Sequence, residues 1–463
     1  MSTAVGEGAR DGIAPAWSLR RVVTAAVIGN VLEWYDFAVY GFFAPILAMK
    51  FFPAGDAVVS LLAAFAAFAV GFLMRPVGAA LFGYVGDRYG RARALLLSIA
   101  MMAIPTVLMG LLPTYATIGV AASLLIVLLR MFQGMAVGGE FTSSIVFLAE
   151  NSPARRRGFF ASFSMFGATF GTMLGSAVGG FLTRVLTPEQ LGSWGWRAAF
   201  VSGLAVAIVG IVLLRNMVDS PARPPSISPL VLAYRQHKFE VLRVFALNVG
   251  TATTYYILFV YAATWVAQKT PVAHATALNI TTSSILTFLV VLPIAACVSD
   301  RVGRKIVMLC GMIGCAVLAL PLATAMHGTS ALTIAAAQMA FSALLAMSMA
   351  PIPAAMCETF PHAVRVSTVS VGYSLAYALF GGTAPVVSVW LIAKTGNDVA
   401  FAWYIASVTV VSIAVAFGTH DRSRAPLPSR KRSRYWLLSE NVTMTTPRQC
   451  VSVSWIVCSH HPQ

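Results

Sequence analysis

Three carboxylates lie inside long apolar stretches of the chain, where a charged group is unusual. Glu33 and Asp36 occur within the segment 22–49, and Glu140 occurs within 117–149. A charge at bilayer depth is costly unless it faces a partner or a water-filled cavity. Partial burial also moves the pKa of a carboxyl group toward the range in which it binds and releases protons. We therefore expect Glu33, Asp36 or Glu140 to carry a proton.

Two arginines are the cations inside these apolar stretches. Arg75 falls in the segment 57–83 and Arg130 falls in 117–149. A guanidinium group can bind a carboxylate through two parallel hydrogen bonds. Arg130 could therefore anchor a carboxylate of a bound solute, or it could pair with a protein acid without touching any solute. The alternative to a proton site is that the acids form structural ion pairs with these two arginines.

These charged residues are exceptions in a chain that is otherwise suited to a lipid environment. Of its 463 residues, 58% are hydrophobic and 10% are charged, whereas a soluble domain has about 25% charged residues. Single segments cross the apolar part of a bilayer only as helices, because lipid cannot hydrogen-bond to the backbone. We therefore predict an all-α membrane protein. Its twelve predicted transmembrane helices are 22–49, 57–83, 92–112, 117–149, 158–183, 197–214, 242–267, 276–297, 306–326, 331–357, 366–393 and 399–417.

The 32 Lys and Arg residues give the chain a formal net charge of +16, and their distribution predicts its orientation. Most fall in loops on one side of the predicted membrane, and an excess of basic residues marks the cytoplasmic side. Both termini then lie in the cytoplasm. The basic residues in loops on the other side are Lys50, Arg184, Arg197, Lys269 and Lys394. Because no basic domain with interleaved aromatic residues occurs, we exclude a nucleic-acid partner.

Two charged motifs occur twice, which predicts that the chain is a duplicated unit. Residues 83–93 reappear in shortened form at 296–305, and 150–157 corresponds to 358–365 at nearly the same separation. Internal repeats of this kind build two helical bundles with a site between them. The predicted parts of the chain are a cytoplasmic N-terminus 1–21, a six-helix bundle 22–215, a cytoplasmic linker 216–241, a second six-helix bundle 242–417 and a disordered cytoplasmic tail 418–463.

Several motifs resemble those of a known family. The sequences GDRYGRAR at 86–93 and SDRVGRK at 299–305 are similar to the loop motif of the major facilitator superfamily. Within it, GNVLEWYDF at 29–37 and QGMAVGGE at 133–140 resemble the metabolite:proton symporter branch, which includes permeases for citrate, α-ketoglutarate, shikimate and proline/betaine. The resemblance covers roughly residues 20–417. It implies two pseudo-symmetric six-helix bundles that work by alternating access.

The resemblance also implies a cytoplasmic gate, in which charged residues at helix ends hold one bundle against the other. The alternative is that these charges only set the topology at turns. The residues assigned to the gate are Arg75, Asp87, Arg88, Arg91, Glu150, Arg157, Asp300, Arg301, Arg304, Glu358 and Arg365.

Polar side chains of the family motifs and of the second bundle are candidate ligands for a substrate. Their hydroxyl and amide groups could hydrogen-bond to a solute without adding charge. Such groups also serve simply to pack membrane helices together. The candidate substrate-binding residues are Asn30, Arg130, Gln133, Asn248, Tyr255, Tyr256, Tyr373 and Tyr377.

With the resemblance, these residues predict a secondary active transporter that imports a small organic acid, a di- or tricarboxylate, in symport with protons. Arg130 favours this substrate class. One alternative is proton-coupled uptake of a zwitterion such as proline or betaine. Another is proton-coupled export of a drug or metabolite, which is disfavoured because helix 5 carries Ser176 where the similar antiporter motif has Pro.

The sequence contains no phosphate-binding loop, no nucleophile with its base and no metal-ligand spacing. We therefore expect no enzymatic activity, no cofactor and no metal. The expected partners are a small-molecule substrate, a proton and the lipid bilayer. We expect a monomer in the inner membrane that crosses it several times.

Overall fold

The computed structural model describes residues 19–89, 91–137, 140–205, 208, 237–360, 365–425 and 427, which are helical apart from short connections. We number the membrane helices α1 to α12. Those of the first half are α1 (Leu19–Phe42 and Ala44–Phe51), α2 (Ala57–Leu73 and Arg75–Tyr89), α3 (Arg91–Leu111), α4 (Val120–Ala136 and Glu140–Glu150), α5 (Arg157–Val185) and α6 (beginning with Trp196–Val201).

The second half repeats this arrangement after the predicted linker 216–241, of which residues 216–236 lie outside the described part. Its helices are α7 (Lys238–Tyr256, Ile257–Tyr261 and Ala262–Lys269), α8 (His274–Val302), α9 (Arg304–Met326), α10 (Ala331–Met349 and Ile352–Thr359), α11 (Arg365–Ala376, Tyr377–Gly381 and Ala384–Thr395) and α12 (Ala400–Phe417). Of the predicted tail, only 418–425 and 427 are described.

Each of the twelve predicted segments overlaps one of these helices, several of which extend a few residues beyond the predicted bounds. Within the described residues, nine helical stretches are long and apolar enough to cross a bilayer, and the bent pair in α1 would make a tenth. Helix α3 contains a shorter apolar stretch, Leu97–Leu111, and α6 is described only in part. The predicted all-α membrane fold is confirmed.

The two halves pack in the same way, as the repeated motifs predict. In the first half, α1 packs on α5, α2 and α3 pack on α4, and α3 packs on α6. In the second half, α7 packs on α11, α8 and α9 pack on α10, and α9 packs on α12. Each of these contacts in one bundle has its counterpart six helices later. The bundles meet through α5 with α8 and through α2 with α11, which are counterparts as well.

Glycines allow the helices of the first bundle to approach closely. A Cβ atom added at Gly171 of α5 would lie 2.4 Å from the carbonyl oxygen of Val31 in α1. A Cβ atom at Gly134 of α4 would lie 1.8 Å from the carbonyl oxygen of Gly71 in α2. Small residues at such crossings let backbones touch, which is how membrane helices gain packing contacts. As a result, α1 and α4 bring their acidic and basic side chains together in the bundle interior.

Two helices of the second bundle contain a π-helical turn where they face the first bundle. In α7 it spans Ile257–Tyr261, and in α11 it spans Tyr377–Gly381. Such turns insert one extra residue and re-aim the side chains around them, and they occur often at functional sites. Here they follow or include the tyrosines that lie between the bundles.

Candidate functional site

The first cluster of site residues is a buried ion pair inside the first bundle. The Nη1 atom of Arg130 in α4 lies 3.4 Å from Oδ2 of Asp36 in α1, and both side chains are almost completely buried. The Arg130 guanidinium also lies over the ring of Tyr40, 3.8 Å from its centroid. Of the two possibilities open from the sequence, the structure shows pairing of Arg130 with a protein acid.

A small cavity adjoins this pair. It has a volume of about 40 Å³ and lies between α1, α3, α4 and α6, with Glu33, Asp36, Ser98 and Thr106 among its lining residues. A water molecule needs about 10–15 Å³ and two or more polar partners, so this space is large and polar enough for water. The predicted proton carriers Glu33 and Asp36 therefore share one cavity inside the first bundle.

The other predicted groups near this cavity occupy different environments. The amide of Gln133 donates to the Thr106 hydroxyl at 2.9 Å, which fixes α4 against α3. The amide of Asn30 donates to the Ser144 hydroxyl and to the Ser164 carbonyl, so it joins α1 to α4 and α5. The side chain of Glu140 lies outside the described part of the structure.

A second cluster consists of aromatic rings between the bundles. Trp34 of α1 lies 5.8 Å from Tyr255, 6.2 Å from Tyr256 and 6.5 Å from Tyr377, measured between ring centroids. Tyr373 stacks on Tyr377 with a centroid distance of 4.0 Å. Three predicted substrate ligands, Tyr256, Tyr373 and Tyr377, therefore meet at one place. Tyr255 is adjacent, and its hydroxyl forms a hydrogen bond with Thr172 of α5 across the bundle boundary.

Arg75 belongs to this central cluster, although the sequence prediction assigned it to the cytoplasmic gate. Its guanidinium carbon lies 4.2 Å from the centroid of Phe72 and 5.5 Å from those of Trp34 and Phe37. The reason is the break in α2 after Leu73, which starts a new helical segment at Arg75 and directs this side chain between the bundles. Phe72 and Trp34 were not predicted as site residues.

Asn248 does not join the central cluster. Its amide donates to the Val244 carbonyl of its own helix at 2.8 Å and contacts the sulfur of Met356 at 3.5 Å. This side chain therefore packs α7 against α10. Its predicted role as a substrate ligand has no support in these contacts.

A third cluster joins the bundles at the end of the molecule predicted to be cytoplasmic. Arg157 at the start of α5 lies 3.0 Å from Glu358 at the end of α10. Arg304 contacts both Glu358 at 3.1 Å and Asp300 at 2.6 Å. Arg365 at the start of α11 donates a hydrogen bond to Glu150 at the end of α4. The pairs Arg157–Glu358 and Glu150–Arg365 thus join the two bundles, and Arg304 holds Glu358 and Asp300 from within the second bundle.

Asp300 adds contacts of a different kind. Its two carboxylate oxygens accept hydrogen bonds at 2.9 Å from the backbone N–H groups of Gly158 and Phe159. These N–H groups belong to the first turn of α5, where they have no partner within the helix. An acidic group is favoured there because the N-terminal end of a helix carries partial positive charge. Asp300 of one bundle therefore caps a helix of the other.

The remaining gate predictions differ in outcome. Arg301 is exposed and forms no ion pair among the described residues. The side chains of Asp87, Arg88 and Arg91, which form the first copy of the loop motif, lie outside the described part of the structure. Their predicted role stays a prediction.

A cluster that was not predicted lies at the opposite end of the second bundle. Lys269 at the end of α7 lies 2.7 Å from Asp398 in the connection before α12, and His327 after α9 lies 3.3 Å from the other oxygen of Asp398. The Trp265 indole also donates to the backbone carbonyl of Asp398 at 2.8 Å. The hydrogen bond from Lys269 is the main reason why the pKa of Asp398 is lower than usual.

Comparisons with known proteins agree with this architecture. Residues 22–222 match the family model described as sugar (and other) transporter, and residues 244–458 match that of the major facilitator superfamily. The proline/betaine transporter of Salmonella typhimurium is 31% identical over 425 residues, covering 88% of this chain and 85% of that protein. The glycine betaine/proline/ectoine/pipecolic acid transporter of Dickeya dadantii has the same identity and coverage.

Solved structures show the same fold. The proton:xylose symporter XylE bound to 6-bromo-6-deoxy-D-glucose superposes with a TM-score of 0.71 over 87% of this chain and 96% of that one, at 19% identity. The inward open form of the xylose transporter from Escherichia coli gives a TM-score of 0.67. Three observations agree: the two six-helix bundles correspond helix by helix, both family models match, and the relatives are 31% identical over most of the chain. The chain belongs to the major facilitator superfamily and is similar to its proline/betaine transporters.

Proposed function

We propose that this protein is a secondary active transporter that imports a small zwitterionic solute together with protons. The observation that carries the proposal is the balance of charge at membrane depth. The described charged side chains there are Glu33, Asp36, Arg75 and Arg130, and the acids are at least as many as the arginines. A buried site without surplus positive charge disfavours a polyanion, because the charge of that solute would remain uncompensated in a low dielectric medium.

This balance argues against the organic acid that the sequence favoured. A di- or tricarboxylate needs surplus positive charge, and Arg130 cannot supply it because Asp36 lies 3.4 Å away. Glu140 could add only negative charge to the region. The names of the relatives, proline/betaine transporter and glycine betaine/proline/ectoine/pipecolic acid transporter, support the zwitterionic alternative.

Coupling to protons is assigned to Asp36 and Glu33. Both line the cavity between α1, α3, α4 and α6, through which water could deliver a proton. Protonation of Asp36 would remove the negative charge that Arg130 faces. A change of this kind weakens the contact between α1 and α4 and lets proton binding alter the shape of the first bundle.

The cytoplasmic ion pairs are assigned the role of the gate. Together with the backbone contacts of Asp300, they connect α4 and α5 of one bundle to α8, α10 and α11 of the other. Closure at this end excludes the cytoplasm from the region between the bundles, and separation of the pairs would open it. We place this end and both chain termini in the cytoplasm of an inner membrane, following the excess of basic residues in these loops.

Export is less well supported than import. Ser176 of α5 forms a hydrogen bond with Thr282 of α8 at 2.7 Å and lies 3.3 Å from the Leu278 carbonyl. This residue fastens the two bundles in the position where the similar antiporter motif has Pro. A solute imported with protons raises the pH of the medium when it is added, whereas exchange against protons has the opposite effect.

The test is uptake into liposomes that contain the purified full-length protein. Radiolabelled glycine betaine, proline and citrate are offered with and without an imposed pH gradient, alkaline inside. We expect glycine betaine or proline to accumulate only with the gradient, and a protonophore to abolish accumulation. Preferential accumulation of citrate, or accumulation that a protonophore leaves unchanged, would overturn the proposal.

A further inference from the structure

Three aromatic rings between the bundles form a triangle of nearly equal sides. The centroids of Trp34 and Tyr256 are 6.2 Å apart, those of Tyr256 and Tyr377 are 6.1 Å apart, and those of Trp34 and Tyr377 are 6.5 Å apart. We call Trp34, Tyr256 and Tyr377 the ring triad. All three side chains are buried. Trp34 comes from α1, whereas both tyrosines come from the second bundle.

Polar atoms of this region lack hydrogen-bond partners among the described residues. They include Nε1 of Trp34, the hydroxyls of Tyr256, Tyr373 and Tyr377, and Nε and Nη2 of Arg75. Buried polar groups are normally paired, so a set of unpaired ones at a single place requires an explanation. Two unpaired guanidinium nitrogens side by side match the two oxygens of a carboxylate. The set therefore indicates a ligand that carries a carboxylate.

The rings supply the complementary feature. A cation is attracted to the face of an aromatic ring within about 6 Å of its centroid, and methylated ammonium groups are bound by cages of such rings. The separations of the three centroids allow a cation that lies to one side of the plane through them to be within this distance of all three rings. Arg75 already uses a neighbouring ring in this manner, because its guanidinium lies 4.2 Å from the centroid of Phe72.

We propose that the ring triad binds the methylated ammonium group of a betaine-type solute and that Arg75 binds its carboxylate. This assignment rests on the proposed function and names the chemical class of its substrate. The triad is assembled from both bundles, so its rings move apart when the bundles separate and close on the ammonium group when they meet. Binding of the solute would then favour the closed arrangement of the bundles.

The test compares two ligands of the same shape. Glycine betaine carries a trimethylammonium group, and 3,3-dimethylbutanoate has a tert-butyl group in its place, with the same carboxylate. Binding of each to the purified full-length protein is measured by isothermal titration calorimetry. We expect the wild-type protein to bind glycine betaine at least tenfold more tightly than the uncharged-head isostere. Equal affinity would show that the rings recognise shape alone and would overturn the proposal.

Variants then test which residues bind the ammonium group of the ligand and which bind its carboxylate. Trp34→Leu should reduce the preference for glycine betaine over the isostere about tenfold, whereas Trp34→Phe, which keeps a ring, should retain most of it. Arg75→Lys should weaken both ligands by similar factors, because both carry the carboxylate. Trp403→Leu is the matched control, since this tryptophan of α12 is 60% exposed on the outside of the bundle. An unchanged preference in Trp34→Leu would overturn the role of the triad.

The outcomes separate this inference from the proposed function. Suppose that a pH gradient drives uptake of proline or glycine betaine, but that the protein binds glycine betaine no more tightly than the isostere. This result would overturn the role of the ring triad and leave the proposed function intact. Absence of both binding and uptake for every zwitterion would overturn both. Elution of each variant as one symmetric peak in size-exclusion chromatography verifies that it is folded.

Discussion

Arg157 and Glu358 lie 3.0 Å apart across the boundary between the bundles. In the sequence, Arg157 ends one copy of a repeated motif and Glu358 begins the other. The glutamate of the first copy, Glu150, accepts a hydrogen bond from Arg365, which ends the second. The charged ends of each copy therefore form ion pairs with the charged ends of the other copy. The same arginine–glutamate contact therefore occurs twice, and the two occurrences are related by the pseudo-symmetry between the bundles.

Breaking one of these pairs should open the cytoplasmic end. Arg157→Ala removes one of the two arginine partners of buried Glu358, and Arg304 remains, so the cost should be smaller than the roughly 3–5 kcal/mol of a fully unpaired buried charge. Cys357 is buried beside this cluster and provides a native probe. We expect its alkylation by a maleimide to become at least tenfold faster in Arg157→Ala, as measured by peptide mass spectrometry.

Cys315 is the control for that experiment. It is buried inside the second bundle in α9, away from the ion pairs, and its alkylation should stay slow in both proteins. The conservative variant Arg157→Lys, which keeps a positive charge facing Glu358, should retain part of the protection of Cys357. Equal alkylation of Cys357 in wild type and Arg157→Ala would contradict the gate.

Neutralising the buried carboxylates should separate transport from proton coupling. In Asp36→Asn and Glu33→Gln, the site can no longer bind and release a proton, so a pH gradient should drive no accumulation. Exchange of internal for external solute needs no net proton movement, and we expect it to remain within about threefold of wild type. Uptake and counterflow of labelled solute in liposomes measure the two activities.

The matched control for these substitutions is Glu189→Gln. Glu189 lies in the exposed connection before α6, so its replacement should leave both activities unchanged. Full gradient-driven accumulation in Asp36→Asn, Glu33→Gln and Glu140→Gln alike would refute the assignment of the proton to these acids.

An added methyl group at the α2–α4 crossing should destabilise the first bundle. In Gly134→Ala the new Cβ atom would lie 1.8 Å from the carbonyl oxygen of Gly71, so the two helices must move apart. Overpacking of this kind typically costs about 1–3 kcal/mol, and we expect the melting temperature to fall by several degrees. Gly192→Ala meets nothing within 4 Å and serves as the control. Equal melting temperatures, read by intrinsic fluorescence in detergent, would disprove the close crossing.

The contact between Lys269 and Asp398 should contribute to stability in a pH-dependent way. The pKa of Asp398 is lowered, first by the hydrogen bond from Lys269, so the folded state favours the ionised carboxylate. Its stabilisation is present above the usual pKa of an aspartate, about 3.9, and is lost as the pH falls through the lowered value. Asp398→Asn should therefore lower the melting temperature slightly at pH 7.

Below the usual aspartate pKa of about 3.9 the same substitution should have a smaller effect, and the effect should be lost below the lowered pKa of Asp398, where the carboxylate is protonated in the folded state as well. The pair is about one third exposed, and ion pairs of this kind contribute at most about 1 kcal/mol. Trp265 still donates to the backbone carbonyl of residue 398 in the variant. A difference between wild type and Asp398→Asn that grows toward low pH would show that the sign of this contribution is wrong.

The sequence predicted the helices and the repeat well because both depend on local properties. Apolar length identifies a membrane helix, and the doubled motifs predict the paired bundles. The pairing of Glu150 with Arg365 could not be predicted, because Glu150 could equally have paired with Arg157 of its own motif. The prediction placed Arg75 at the cytoplasmic end, whereas the structure places it in the central cluster. The break after Leu73 comes just before Pro76, whose missing N–H interrupts the helix, but which way Arg75 then points depends on the neighbouring helices.

Only some of the aromatic residues of the site were predicted from the sequence. The tyrosines of α7 and α11 were predicted because a hydroxyl group in a membrane helix is conspicuous, whereas Trp34 and Phe72 look like ordinary apolar residues. One signal was present, because tryptophans of membrane proteins concentrate at the bilayer surface and Trp34 lies in the middle of a predicted span. Its ring partners come from the other half of the chain, and no local pattern connects them.

Asp300 makes its contacts with backbone atoms, and this has a consequence for how the protein can vary. Phe159 can change without loss of its hydrogen bond, because every residue except proline offers the same N–H group. Gly158 cannot change so freely, since a Cβ atom there would lie 2.3 Å from the Arg304 guanidinium. The amide proton of residue 159 would thus report on the proposed gate: it should be protected from deuterium exchange while the two bundles touch, and it should exchange if they separate.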